Sequence, residues 1–306
     1  LYQLSDTKVV AVDIALLASL AVVLLLVLAV LVGLGRRTDV VPRREWRLVQ
    51  ATRVLGVVAG GYAAFAVADP QESVLPDGWD RGYGAGQMLA PAAFGLVVLA
   101  FVAFGETVVR APRPDGPRTA SLRPRAVRQY RPRPTTVAVA AVTVVLGATL
   151  LFTTLTAGVD RSLGGHRVLV CAAGGLREAR GPYPGSFYSV PLALAVAVVL
   201  AVAALAARQV VRRPRGLATT EHGDDVLRRR SVTVIVAAVG VATAFSQVGI
   251  GWVAGSALVE LGDGCAPAWA DPAGVVIGAS AAVSLFVGLW CLVRIVSNDS
   301  LERPWS

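Results

Sequence analysis

The chain has 306 residues, 55% apolar and only 16% charged, with a formal charge of +9, a pI near 10.3 and a mean hydropathy of +0.63. A soluble domain carries nearer a quarter charged residues, and here the apolar residues fall in runs of about 18 or more, the length a bilayer demands. The basic balance raises nucleic acid as a partner, but no reading module or aromatic-lined groove accompanies it, and arginine gathered on one side of a membrane accounts for the charge.

Seven apolar segments follow in chain order, at about 9–34, 50–68, 86–109, 136–157, 190–211, 232–258 and 273–296. The first resembles a signal peptide only superficially. It is too long for the apolar region of one, lacks a basic start, and is followed by Arg36 and Arg37 as a stop-transfer signal, so it is expected to be a retained helix. The connections between segments alternate in charge. Three arginine-rich stretches, around Arg36–Arg53, Arg110–Arg133 and Arg208–Arg230, hold 23 of the 29 basic residues together with Arg294 and Arg303 in the tail. The other connections are acidic or mixed; the first of them sets Asp69, Glu72, Asp77 and Asp80 against Arg81 alone. An error in the helix count would break this alternation. It predicts an all-α integral membrane protein with about seven transmembrane helices, its N-terminus outside and its C-terminus cytoplasmic.

Residues 1–306 read as a single transmembrane helical domain. Within it, spans four and six both open on Val/Ala runs behind arginine clusters, which suggests duplicated hairpins at 135–211 and 231–296. Lys8 is the only lysine, and the heavy use of Arg, Ala, Val and Gly is that of a high-GC genome. The expected location is therefore a bacterial cytoplasmic membrane.

Two connections predicted to lie outside, 158–189 and 259–272, each hold one cysteine. Cys171 and Cys265 share the oxidising face and are disulfide candidates, whereas Cys291, inside the last span, reads as a small buried hydrophobe. Tyr183, Phe187 and Tyr188 stand where an interfacial aromatic belt is expected.

Polar groups inside spans are expensive and mark function by default. Asp13 lies about one turn inside the first span. Span six is the most unusual: Ser246 and Gln247 sit near its middle, and Gly251 and Gly255 follow at small-xxx-small spacing. Its glycines suit either close helix contact or a broken helix exposing carbonyls to a substrate. Gln247 needs a hydrogen-bond partner, with Thr153, Thr154 and Thr156 of span four as candidates. Asp13, Ser246, Gln247, Gly251 and Gly255 are thus the candidate pathway residues.

Both histidines, His166 and His222, fall outside the spans, which excludes bis-histidine haem ligation and an H-E-x-x-H protease within the membrane. No phosphate-binding G-x-x-x-x-G-K-[ST] loop occurs, so ATP-driven work would need a separate ATPase chain. No catalytic set, metal site or cofactor is indicated, and the sequence leans away from an enzyme. The expected function is a permease-like or accessory membrane subunit of a larger transport complex, with the lipid bilayer and a protein subunit as partners and no nucleic acid. The alternatives are a stand-alone secondary transporter and a membrane enzyme acting on a lipid-linked substrate.

Overall fold

A computed structural model describes residues 43–69, 84–108, 126–160, 165–173, 176–213, 221–261 and 266–296. The first expected span, Asp13 and Cys265 lie outside the described residues. Among the described residues six helices are long and apolar enough to cross a membrane: α1 (Arg43–Ala68), α2 (Ala85–Val108), α3 (Arg133–Thr156), α4 (Ser186–Arg212), α5 (Glu221–Val259) and α6 (Ala270–Val296). They coincide with the last six apolar segments of the sequence. Most ends agree within a few residues, but α5 begins eleven residues earlier than the apolar run that marked it.

Each helix buries a stripe rather than a cylinder. In α3 the buried positions Thr135, Val139, Val142, Leu146, Thr149, Leu150 and Thr153 recur mostly three or four apart and therefore lie on one face. Val137, Val144, Leu151 and Leu155 look outward. In α4, Leu192, Val196, Val199, Ala203, Ala206 and Val210 form the equivalent stripe. Helix α5 departs from this pattern. Of its spanning stretch 78% is buried, against 22–39% for the other five, which makes α5 the central post of the bundle.

Lipid tails are as apolar as leucine, so these helices associate through close packing rather than a hydrophobic drive. The sequence supplies small residues where that matters. A Cβ on Gly95 of α2 would stand 2.8 Å from the Ala242 Cβ of α5, and one on Gly56 of α1 would stand 2.8 Å from the Phe101 Cβ of α2. Between α5 and α6 the backbones themselves meet: a Cβ on Gly255 would lie 3.0 Å from the Gly274 carbonyl oxygen and 3.1 Å from the Gly278 nitrogen. Helix α5 runs unbroken through this glycine-rich stretch, because its partner's glycines leave room for it.

The two ends of the bundle differ. At one end, contacts between the start of α5 and the other helices are made by arginines: Arg53 Nη2 donates to Ser231 Oγ at 3.3 Å, Arg230 Nη2 to Gln50 Oε1 at 3.1 Å, and Arg228 Nη2 to the Arg213 carbonyl at 2.8 Å. Tyr130, in a short helical turn before α3, donates to Asp225 Oδ1 at 3.1 Å.

At the other end the connection from α3 to α4 forms a three-stranded antiparallel sheet of β1 (Gly158–Val159), β2 (His166–Ala173) and β3 (Leu176–Arg180). The aromatic-rich loop expected here is therefore partly ordered as strands. Leu169 and Cys171 of β2 pack with Tyr183 into a core that includes Leu258, Leu261, Ala270 and Ile277 of the α5–α6 connection and its flanking turns. An ion pair of 3.0 Å joins Arg167 Nε to Asp160, and the Arg167 guanidinium lies 5.6 Å above the Phe187 ring. Tyr183 is fully buried, its hydroxyl 2.7 Å from Thr156 Oγ1.

Candidate functional site

Halfway along the bundle, α5 brings its polar residues to the contact with α3 and α6. Gln247 has no solvent exposure. Its Nε2 donates to Thr149 Oγ1 of α3 at 3.2 Å and to Ser280 Oγ of α6 at 2.9 Å. Both hydroxyls are held in place by their own helices, Thr149 donating to the Val145 carbonyl and Ser280 to the Ile277 carbonyl. The amide therefore bridges three helices through hydroxyls whose hydrogens are already committed. The sequence pointed to α3 hydroxyls for Gln247, but one turn too far along. Thr153, Thr154 and Thr156 donate back to carbonyls of their own helix instead.

The acceptors of this node are not used up. Gln247 Oε1 and Ser246 Oγ are both buried and meet no hydrogen-bond partner among the described residues. A buried amide oxygen without a donor costs about 1–3 kcal/mol. Chemically the node is neutral: it can receive hydrogen bonds or coordinate a small cation weakly, and it carries no group that gains or loses a proton at ordinary pH.

Gly251 fixes the room beside the amide. A Cβ there would lie 3.1 Å from Gln247 Nε2, 3.0 Å from the Ala281 Cβ and 3.2 Å from the Ile277 carbonyl oxygen. Gly255, one turn further, is occupied with the α6 backbone as described above. Ser246, Gln247, Gly251 and Gly255 thus lie on one segment of α5, while Asp13 lies outside the described residues and is not placed with them.

Of the expected cysteine pair, Cys171 is buried in β2 and carries no free thiol. Cys265 lies outside the described residues, so the pair is not seen whole. Cys291 is free and buried in α6. Among the described residues no three His, Cys, Asp or Glu side chains gather where a metal ion would sit.

The features that sequence patterning missed are the buried arginines. Arg228 and Arg230 are the largest fully buried side chains among the described residues, and Arg53 is almost as deeply placed. From the sequence Arg53 reads as opening span two and snorkelling to the headgroups, and Arg228 and Arg230 as part of a loop cluster drawn to anionic lipid; in the structure all three are buried, bonded across to Ser231, Gln50 and the Arg213 carbonyl. Compared with protein family models, curated proteins and solved structures, the chain matches none, so its function has to be argued from its own residues.

Proposed function

We propose that this chain is a non-enzymatic, permease-like or accessory membrane subunit of a larger transport complex in a bacterial cytoplasmic membrane. The observation that carries this is the asymmetry of burial: one helix is mostly buried, while the other five described helices keep most of their surface outside the bundle. Tyr62, Phe65, Leu55 and Val58 of α1 are exposed on the least buried helix, a face suited to lipid or to another subunit's helix. The bundle interior offers amides, hydroxyls and glycines rather than an acid–base pair. In the orientation proposed from the charge alternation, the arginine end faces the cytoplasm, where a soluble ATPase chain would dock.

The same orientation puts the β-sheet end outside, where oxidising conditions favour a bond between Cys171 and Cys265. Support for that pairing comes from Cys171, which is not a free thiol, beside Cys291, which is. Alkylation under non-reducing, denaturing conditions should then label one cysteine, and labelling of three would refute the pairing. For the function itself, purification from the native host in a mild detergent, followed by mass spectrometry, should recover a second subunit in stoichiometric amount. Recovery of the chain alone as a monomer or homodimer would refute the accessory role.

A stand-alone secondary transporter is the second reading, favoured by the unpartnered Gln247 Oε1 and Ser246 Oγ in mid-bundle. On that view Gln247→Leu abolishes uptake by proteoliposomes while leaving the fold intact. Unchanged uptake would exclude the node from the pathway.

A further inference from the structure

The start of α5 buries a guanidinium, that of Arg228, with donors that meet no acceptor among the described residues. Arg228 is 0% exposed, Arg230 1% and Arg53 of α1 2%. A buried guanidinium is tolerated when its donors are met by an anion or by a full set of acceptors.

Arg228 lacks that set. It has five N–H donors. Nη2 reaches the Arg213 carbonyl at the C-terminal end of α4, where the helix dipole offers partial negative charge. Nε and Nη1 are buried and meet no acceptor. Of the two acids on the same turn, Asp225 is engaged by Tyr130 and Asp224 has partners of its own.

The depth of the site argues for the chemistry of its ligand. Helix α5 has 39 residues, about 58 Å at 1.5 Å per residue, whereas the hydrocarbon core is about 30 Å thick. The uninterrupted apolar stretch starts at Val232, immediately after the arginines. Arg228 and Arg230 therefore stand at the edge of the hydrocarbon, the level of lipid phosphates. Arginine is the side chain best suited to phosphate oxygens there.

We propose that the arginine end is a phosphate-binding site. In it Arg228 donates from the nitrogens that have no acceptor among the described residues. The phosphate belongs either to an anionic phospholipid headgroup or to a soluble phosphate, and the site would exist whether or not the chain travels with a partner subunit.

The test uses the full chain, delipidated in a sugar-based detergent that contains no phosphate. Short-chain phosphatidylglycerol and inorganic phosphate are titrated separately, with thermal unfolding as the readout. One of the two should raise the midpoint of the wild type and of Arg229→Gln, whose arginine is exposed. Arg228→Gln should bind that ligand about tenfold more weakly or worse, the loss expected for a charge-assisted hydrogen bond. Stabilisation by phosphatidylglycerol alone assigns the headgroup; stabilisation by inorganic phosphate assigns a soluble ligand. Stabilisation by neither, or equal binding by the Arg228 and Arg229 variants, overturns the proposal. If Arg228→Gln does not fold, hydrogen exchange on the wild type decides. Added ligand should slow exchange around 209–213 and 221–231, and an effect confined to other segments overturns it.

Discussion

Gly255 and Gly249 lie on the same helix and differ only in what faces them, so a single methyl group at each position measures the α5–α6 contact. Nothing lies within 4 Å of a Cβ placed on Gly249. Replacing it with alanine should gain helix propensity, about 1 kcal/mol in a helix interior. At Gly255 the same methyl would come within 3.0 Å of the Gly274 carbonyl oxygen, 3.1 Å of the Gly278 nitrogen and 3.3 Å of the Gly278 Cα. All three are backbone atoms, so the strain is relieved only by moving a helix, and overpacking of this kind costs about 1–3 kcal/mol. Gly255→Ala should therefore be less stable than Gly249→Ala by about 1–3 kcal/mol, and close to or below the wild type. Reversible unfolding in mixed micelles, followed by helicity, gives both values in one experiment. If the two alanine variants shift stability equally, the backbones of α5 and α6 are not in the contact described.

Gln247→Leu should change stability by no more than about 1 kcal/mol, because the loss of two interhelical hydrogen bonds at about 0.6 kcal/mol each is offset by removal of the buried, unpartnered Oε1. The loss stays small because Thr149 and Ser280 retain their own carbonyl acceptors, and a cycle with Thr149→Val should show coupling between the two positions. Arg167→Met should loosen the β-sheet end, since it takes the ion pair from the largely buried Asp160 and removes the group over Phe187; limited proteolysis within 157–185 would report it, and unchanged resistance would contradict it. Burial pushes the Tyr183 hydroxyl above its ordinary 10.0, against a smaller lowering by the Thr156 hydrogen bond. The unfolded chain then gives up this proton first, so the contribution of Tyr183 to stability is full below pH 10.0 and is lost as pH rises through the folded value. Tyrosine absorbance during alkaline titration should show one late-ionising group, absent in Tyr183→Phe.

The positions of the helices were legible because bilayer thickness sets a length that the sequence must honour. Runs such as 190–211 and 273–296 are too long and too apolar for strands or for the helices of a soluble core, and arginine at alternate connections marked where each stopped. Their interactions were less legible. Gln247 announced its need for a partner, yet three threonines and Thr149 all lie within two turns on α3, and the relative height of two helices decides among them. The strands at 158–180 were missed although β2 has eight residues with a Val-Leu-Val run of strand character, because the connection was read only for its cysteine and aromatic residues. The arginines before Val232 were the hardest case. Charge next to an apolar run is the normal appearance of a solvated helix end, and only the arrival of α1 from far away in the chain encloses Arg230 against Gln50.

The central position of α5 also bears on how the protein is made. A helix that meets lipid on most of its surface can wait in the bilayer as it leaves the ribosome, but α5 would hold Gln247, Ser246 and Thr243 against hydrocarbon until its neighbours close. Helix α3, which carries Thr149, is synthesised before it; α6, which carries Ser280 and the glycines that receive Gly255, comes after. During synthesis there is thus an interval in which the post of the bundle is present with one wall missing. In that interval an insertase or chaperone within the membrane would find α5 exposed, and a chain truncated before Ala270 would remain in that state.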